Sequence, residues 1–296
     1  MQIYKKISLS FLVIIFFLSA CSSNQAAEIS TPTEQVFLTL PVTETSAAPT
    51  ETPIPTNTPL PTLERARYTL NTTIDYDAHT VTVDQTILYP NLTGNQLNAL
   101  VLAVTPNLWD GSFSLTGISI DGQPVSTYTL DGQRLDISLA SLLPAGSTTE
   151  IKLQYTLTLP KIEPNDPNVE RPQIFGYTPR QTNLTNWYPF IVPYINGEWI
   201  LHDPWFYGEN LVYETADYEV NLRFTDPSTV PIVASSGVAE PQGEFTRYTI
   251  TSARAFVISA SREYEISSTQ MGDITVYSYY FPFNETPGQA VLAATI

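Results

Sequence analysis

The sequence predicts an all-β fold, and three observations support this prediction. Apolar and polar residues alternate with a period of two along most of the chain after residue 66, which is typical of strands with one buried face. Gly, Pro, Asn and Asp mark the junctions between these segments. No stretch before the last ten residues has the periodicity of an amphipathic helix. We therefore expect one large antiparallel β-sandwich domain over residues 65–284.

Tight turns give the clearest hairpin predictions. Asp121-Gly122 and Asp131-Gly132 each separate two alternating segments, as Asp-Gly pairs do in two-residue β-hairpins. An Asp-Ala-His turn at residues 77–79 separates the first two strands. The predicted strands, in chain order, are residues 68–76, 81–89, 118–120, 128–130, 135–139, 151–159, 218–224, 232–237, 245–250, 254–261 and 274–281.

The last residues change from strand to helix signals. Thr286 followed by Pro287 is typical of an N-cap and a first helical position, and GQAVLAATI continues as a helix. A helix of two or three turns is marginal by itself. We expect residues 285–296 to be the start of a further, truncated helical domain.

The first twenty residues have the layout of a secretory signal peptide. Lys5 and Lys6 precede an apolar run centred on FLVIIFFL, which is shorter than the roughly 20 apolar residues of a membrane-spanning helix. The following LSAC resembles the lipobox of bacterial lipoproteins, which implies that Cys21 becomes the lipidated first residue of the mature protein. The alternative is an ordinary secretory signal in which the cysteine is incidental. We expect an extracytoplasmic protein that its lipid attaches to the bacterial cell membrane.

Residues 21–64 are predicted to be the lipidated cysteine followed by a disordered linker. From Ser22 to Glu64 there is no Lys or Arg, and residues 31–64 hold ten Thr and seven Pro. Such a segment buries too little apolar surface to offset its chain entropy, and its prolines favour extended conformations. Cys21 is the one cysteine of the chain, so no disulfide within the chain can stabilise the folded part.

The charge of the chain argues against a nucleic acid partner. The sequence has 29 acidic and 13 basic residues and a net charge of −16. Such an acidic surface repels phosphate backbones and anionic headgroups. We therefore expect no nucleic acid binding, and we expect contact with the membrane to occur through the lipid on Cys21.

The order of several sequence blocks resembles the N-terminal domain of the aminopeptidase N family of zinc metallopeptidases. In that family a saddle-shaped β domain precedes a largely helical, thermolysin-like zinc domain, so the resemblance implies a saddle-like β-sandwich here. It covers roughly residues 67–283. The blocks, in chain order, are ILYPNLTGNQLNALVLAV, ISIDGQPV, LDISLASLLPAG, EIKLQYTLTL, NWYPFIVPY, ETADYEVNLRFTDPSTVPIVASSG and RAFVISASREYEI.

The zinc chemistry of that family is not encoded in these residues. Peptide hydrolysis by zinc needs three protein ligands, usually HExxH on a helix and a downstream Glu. The two histidines, His79 and His202, are far apart, neither lies in HExxH, and the GAMEN segment is absent. The resemblance thus implies a non-catalytic domain that forms part of the substrate cleft and scaffold. Zinc, and the catalytic domain that would be its partner, are expected outside this chain, with a peptide as substrate.

Two amides occupy the place of a family motif. In the family a Q-x-E or Q-x-Q motif just before the segment aligned with NWYPF helps to hold the α-amine of the substrate. Gln181 matches its first position, and Asn183 stands where an acid or Gln is expected. Asn can accept a hydrogen bond but supplies no charge, so selectivity for free N-termini is in doubt. The alternative is that both amides satisfy backbone groups of a loop.

Aromatic residues follow directly after this motif. The resemblance implies that Trp187 and Tyr188 form an interdomain or cleft wall, and we expect them to be exposed when the partner domain is absent. Exposed aromatic residues also favour a second hypothesis, a lipid-anchored β-sandwich that binds peptide or glycan and has no enzymatic activity. The aromatic residues that suggest this binding module are Trp187, Tyr188, Trp199, Trp205, Phe206 and Tyr207.

Two other groups of residues carry weaker signals. His202-Asp203 matches half of a Ser-His-Asp arrangement, but no GxSxG or SxxK identifies a nucleophile, so a structural histidine is favoured. Glu163, Asp166 and Glu170 form an acidic cluster without the spacing of a dedicated calcium loop, which favours a solvated loop.

Overall fold

The computed structural model describes residues 65–163, 173–204 and 211–295. Strands dominate the described residues, and a single α-helix follows the last strand. Short 3-10 turns lie at Thr105–Leu108 and Pro282–Asn284. The elements, in chain order, are β1 (Arg67–Asp75), β2 (Thr80–Pro90), β3 (Leu97–Ala103), β4 (Phe113–Ile120), β5 (Gln123–Pro124), β6 (Tyr128–Asp131), β7 (Arg134–Leu143), β8 (Thr148–Thr158), β9 (Gly176–Tyr177), β10 (Thr182–Leu184), β11 (Phe190–Ile191), β12 (Tyr194–Ile195), β13 (Glu198–Trp199), β14 (Ala216–Phe224), β15 (Ile232–Ser235), β16 (Val238–Gln242), β17 (Phe245–Ala253), β18 (Ile258–Ser261), β19 (Glu265–Met271), β20 (Ile274–Tyr280) and α1 (Glu285–Thr295).

The strands form one large sheet, two smaller sheets and two hairpins. The large sheet has eight strands in the order β16-β17-β14-β1-β2-β8-β4-β5. The four-stranded sheets have the orders β15-β18-β10-β9 and β11-β3-β7-β6, and the hairpins are β12-β13 and β19-β20. The all-β prediction is confirmed. The sheets are antiparallel as expected, except that β1 and β14 run parallel in the middle of the large sheet.

Turn chemistry explains the hairpins that the sequence predicts. Asp121 and Gly122 form the loop between β4 and β5 with φ values of 49° and 76°, as the first and second loop residues of a type I′ turn require. At the second Asp-Gly pair the loop lies one residue later than the motif suggests. Asp131 ends β6, and Gly132, with a φ of 52°, is the first of the two loop residues.

The core lies beneath the alternating faces of the long strands. In β8 every second residue from Thr149 to Leu157 is buried. A buried polar link crosses this core: the Tyr155 hydroxyl donates to Gln85 Oε1 at 2.9 Å, and Gln85 Nε2 donates to the carbonyl of Pro189 at 2.6 Å. Because buried amides are costly when unpaired, this link fixes the NWYPF segment against the large sheet.

The helix at the end begins slightly earlier than the sequence predicts. Pro282–Asn284 forms a 3-10 turn, and α1 starts at Glu285, so Thr286 lies inside the helix and is not its N-cap. Among the described residues there is no helix that is long and apolar enough to cross a membrane. The predicted signal peptide, Cys21 and the linker lie outside the described residues.

Candidate functional site

The two amides singled out by the sequence lie on one face of a short strand. Thr178 begins a turn in which its hydroxyl accepts hydrogen bonds from the backbone N–H groups of Arg180 and Gln181, at 3.2 and 3.1 Å. β10 follows, with Thr182 and Leu184 buried. Since successive residues of a strand point to opposite faces, Gln181 and Asn183 share the other, half-buried face.

Side-chain hydroxyls join these two amides into one network. Asn183 pairs with Ser259 across β10 and β18, and Ser259 Oγ donates to Asn183 Oδ1 at 2.6 Å. The Tyr264 hydroxyl donates to Gln181 Oε1 at 3.1 Å. The two hydroxyl oxygens are themselves 2.7 Å apart. We call the four residues Gln181, Asn183, Ser259 and Tyr264 the amide rim.

The amide rim presents hydrogen-bond acceptors to the surface. It contains three short contacts, namely Ser259 with Asn183, Tyr264 with Gln181, and Ser259 with Tyr264. An amide oxygen has two lone pairs, and its contact with a hydroxyl uses one of them. The amide oxygens can therefore accept a further hydrogen bond from a ligand that donates N–H or O–H groups, such as an ammonium group.

An ion pair and two aromatic rings border the amide rim. The Arg180 guanidinium lies 4.5 Å from the ring centroid of Phe283 and 3.5 Å from a carboxylate oxygen of Glu263. Phe281 stacks on Phe283 with ring centroids 5.5 Å apart, and it also contacts Tyr264. We call Phe281 and Phe283 the aromatic shelf. Phe283 is 64% exposed, so the shelf offers apolar contact area next to the polar network.

The backbone of this region is tied to the large sheet. The carbonyl of Arg180 accepts from the Tyr76 hydroxyl at 3.3 Å and from Ser261 Oγ at 2.6 Å. Tyr76 follows the last residue of β1. The amide rim is therefore held at the end of the large sheet where β1 finishes.

The prediction that Trp187 and Tyr188 are exposed is wrong. Trp187 is fully buried and Tyr188 is 2% exposed. The Trp187 indole donates to the carbonyl of Phe256 at 3.1 Å, and the Tyr188 hydroxyl accepts from the N–H of the same residue at 3.0 Å. The polar atom of each side chain thus has a hydrogen-bond partner inside the core. Neither side chain has surface left to form an interdomain or cleft wall, and two of the six aromatic residues behind the binding-module hypothesis are core residues.

The remaining candidates from the sequence do not assemble into a site. The His202 and Asp203 side chains are exposed, and the backbone carbonyl of His202 accepts from Gln133 Nε2 at 2.7 Å. Glu163 pairs with Lys161 at 2.6 Å. Among the described residues no three His, Cys, Asp or Glu side chains are grouped to hold a metal ion. Asp166, Glu170, Trp205, Phe206 and Tyr207 lie outside the described residues.

Several residues of this region were not predicted from the sequence. Ser259 and Tyr264 reach the amides from β18 and the loop after it, and Arg180, Phe281 and Phe283 complete the surroundings. They lie up to 103 positions from one another, so no local motif connects them. The sequence block RAFVISASREYEI contains both partners of the amides, because Ser259 lies in β18 and Tyr264 follows the end of that strand.

Comparisons with known proteins identify similar folds in one group of solved structures. No protein-family model and no curated protein sequence matches the chain. An M1 zinc metallopeptidase from Deinococcus radiodurans is 16% identical, with a TM-score of 0.45 over 72% of this chain and 46% of that protein. A mutant of the same enzyme bound to a Tyr-Ser-Ala substrate is 17% identical, with a TM-score of 0.47 and the same coverage.

A further solved structure is described as a two-domain M1 zinc metallopeptidase mutant bound to L-tryptophan. It is 17% identical to this chain, with a TM-score of 0.46 over 72% of this chain and 46% of that one. The chain therefore spans less than half the length of each of these proteins.

Proposed function

We propose that residues 65–284 are the substrate-side β domain of a cell-surface zinc metallopeptidase of the aminopeptidase N type. In this proposal the amide rim receives the amino-terminal end of a peptide, and the domain supplies binding surface and no catalytic group. The order of the sequence blocks supports the proposal, because those blocks all contribute residues to one continuous hydrophobic core.

The observation that carries the proposal is the pair of amide oxygens that the amide rim presents side by side. Gln181 and Asn183, the two residues placed by the sequence motif, both accept hydrogen bonds from side-chain hydroxyls and not from loop backbone N–H groups. Both amide oxygens keep a second lone pair for a donor from outside. A peptide ammonium would provide such donors, while the aromatic shelf would contact an apolar first side chain.

Asn183 sets the expected selectivity of this site. A carboxylate at that position would form a charge-assisted hydrogen bond to an ammonium, which is roughly twice as strong as a bond to a neutral amide. The nearby Glu263 carboxylate is already paired with Arg180. We therefore expect a preference for free amino termini that is weaker than a carboxylate would give.

In this proposal zinc is not bound by the described part of this chain. The described residues lack any grouping of three side chains able to ligate it. In this proposal the zinc ligands and the general base belong to a further domain of the natural protein. The role of the residues described here is to bind and orient the peptide.

We also propose that a lipid on Cys21 attaches the protein to the outer face of the bacterial membrane. The signal-like N-terminus and the Thr- and Pro-rich segment after it support this attachment. A Cys21→Ser variant should appear in the soluble fraction, whereas the wild-type chain should stay with membranes and incorporate labelled fatty acid. Equal fractionation of the Cys21→Ser variant and the wild-type chain would contradict the proposed lipid attachment.

The function is tested with the protein produced by its natural gene. We expect zinc-dependent release of the first residue of short peptides, and loss of that activity with a chelator. Asn183→Ala should raise KM about tenfold with little change in kcat, since it removes one acceptor of the bound ammonium.

Asn71→Ala is the matched control, because Asn71 is an exposed amide that accepts from Asn221 Nδ2 at 2.9 Å on the surface of the large sheet. It should leave KM unchanged. Absence of peptidase activity together with selective binding of a glycan or peptide would contradict the proposal and favour the binding module instead.

A further inference from the structure

A second cleft lies at the opposite end of the large sheet from the amide rim. It forms where β1 and β14 begin and β2 ends, and its volume is about 700 Å³. Ligand sites of globular proteins typically have volumes of about 300–1,000 Å³. Along β1, from Ala66 to Tyr76, ten residues at about 3.3 Å each separate this cleft from the amide rim by about 30 Å.

The wall of the cleft combines one carboxylate with aromatic and apolar surface. Glu214, two residues before the start of β14, lines the outer cleft and also a small pocket behind it. Tyr89 and Tyr194 lie on the same wall, and Leu92 is 58% exposed beside them. Tyr194 is held by an edge-on contact with Trp199, with ring centroids 4.9 Å apart.

Glu214 has no cationic partner among the described residues. None of their ion pairs includes it. Arg65 also lines the cleft, but it binds Asp217 at 3.1 Å and the Ser252 hydroxyl. The charges of Arg65 and Asp217 offset each other, so the cleft has an excess negative charge at Glu214.

The carboxylate of Glu214 is only partly in contact with water. Glu214 is an exposed residue, and neighbouring protein atoms desolvate its carboxylate enough to raise its pKa. Burial raises the pKa of the Tyr89 hydroxyl, and the negative charge of Glu214 raises it further. A partly desolvated carboxylate in a cleft, with no cationic partner among the described residues, is typical of a ligand site.

We propose that this cleft is a second binding site, selective for an organic ammonium or guanidinium group carried on an apolar body. The carboxylate of Glu214 pairs with the cation, and the ring of Tyr194 contacts the cation or the apolar body. A Lys or Arg side chain of a peptide has this chemistry, and so does a free amine. The site is separate from the amide rim in both location and charge.

Calorimetric titration of the full chain in mild detergent with benzylammonium tests this proposal. Benzyl alcohol, a neutral molecule of the same shape, is the comparison ligand. We expect benzylammonium to bind at least tenfold more tightly than benzyl alcohol. Glu214→Gln should weaken benzylammonium binding about tenfold, because it removes a charge-assisted hydrogen bond. Tyr194→Leu should weaken it severalfold.

The matched control is Glu150→Gln, which removes one negative charge from β8 at a half-buried residue paired with Lys152. It should leave benzylammonium binding unchanged. Absent binding, equal affinity for benzyl alcohol, or equal weakening by Glu150→Gln and Glu214→Gln would each overturn the proposal. None of these outcomes affects the amide rim, because the variants lie away from Gln181 and Asn183.

Discussion

Two groups of aromatic residues in this domain lie in opposite environments. The aromatic core consists of Tyr68, Trp187, Tyr188, Tyr218 and Phe256, which are almost fully buried, whereas Phe283 of the aromatic shelf is 64% exposed. In the core, Tyr68 stacks on Tyr218 with ring centroids 5.1 Å apart, and Trp187 meets Tyr188 edge-on at 5.4 Å. In the shelf, Phe281 and Phe283 stack next to the Arg180 guanidinium.

The difference shows what decides whether an aromatic cluster stabilises the fold or faces a ligand. The polar atoms of the core cluster bond to backbone groups, as when the N–H of Ile191 donates to the Tyr68 hydroxyl at 3.1 Å. The polar neighbours of the shelf are a half-exposed ion pair and the half-buried amide rim, whose amide oxygens can accept further hydrogen bonds. Fully satisfied polar groups favour rigidity, and incompletely satisfied groups at a surface favour binding.

Alkaline titration should give the largest effect on stability, because it acts on several buried tyrosines at once. Burial raises the pKa of Tyr68, Tyr155 and Tyr188 above the usual value of 10.0. The folded state therefore favours the protonated phenols, and the stability they contribute is present below pH 10 and is lost as the pH rises further. Each of these tyrosines should lower the free energy of unfolding by about 1.4 kcal/mol per pH unit in this range.

Urea unfolding at a series of pH values from 9 to 12, together with tyrosinate absorbance, measures this effect. The tyrosinate signal of the core residues should appear in step with unfolding. A folded protein in which all tyrosines have ionised by about pH 11 would contradict the assignment of these residues to the core.

Trp187→Ala should have the next largest effect. It removes a fully buried indole and leaves the carbonyl of Phe256 without its donor. The free energy of unfolding should fall by about 3–5 kcal/mol in urea unfolding. Phe283→Ala is the control from the aromatic shelf, and it should change the free energy by less than about 0.5 kcal/mol. Similar losses of unfolding free energy for Trp187→Ala and Phe283→Ala would contradict the difference between the aromatic core and the aromatic shelf.

Removing single hydroxyl groups should give a smaller difference in the free energy of unfolding between the two groups. Tyr188→Phe leaves the buried N–H of Phe256 unpaired and should cost about 1–3 kcal/mol. Tyr264→Phe removes one proton from the half-buried amide rim and should cost less than about 1 kcal/mol, while it changes the binding of amines. Thermal unfolding of both variants checks the order. A larger loss for Tyr264→Phe would assign the rim a structural role.

The sequence predicts the strands of this domain better than their burial. Alternation and Asp-Gly turns correctly identify the hairpins, because both depend on residues that are close in the sequence. The parallel pairing of β1 with β14 joins residues about 150 positions apart, and no local pattern reports it. Trp187 and Tyr188 were expected at a surface, since aromatic density is the same in a core and in a binding site.

The candidate site was predicted only in part, because some of its residues are close in the sequence and others are not. The motif identifies Gln181 and Asn183, which lie two residues apart, Gln181 just before β10 and Asn183 within it. Their partners, Ser259 and Tyr264, come from β18 and the loop after it and are defined by the three-dimensional pairing. The cleft around Glu214 depends on the starts of two parallel strands meeting, so it required the structure.

The most direct test of the proposed function compares a free and a blocked substrate in a single variant. Asn183→Asp adds a charge to the amide rim without changing its size. In the natural protein it should lower KM about tenfold for a peptide with a free amino terminus, because a carboxylate binds an ammonium more strongly than an amide does. KM for the same peptide with an acetylated terminus should stay within about twofold. Equal changes for the two peptides, or no change for either, would contradict the assignment of the amide rim to the substrate's amino terminus.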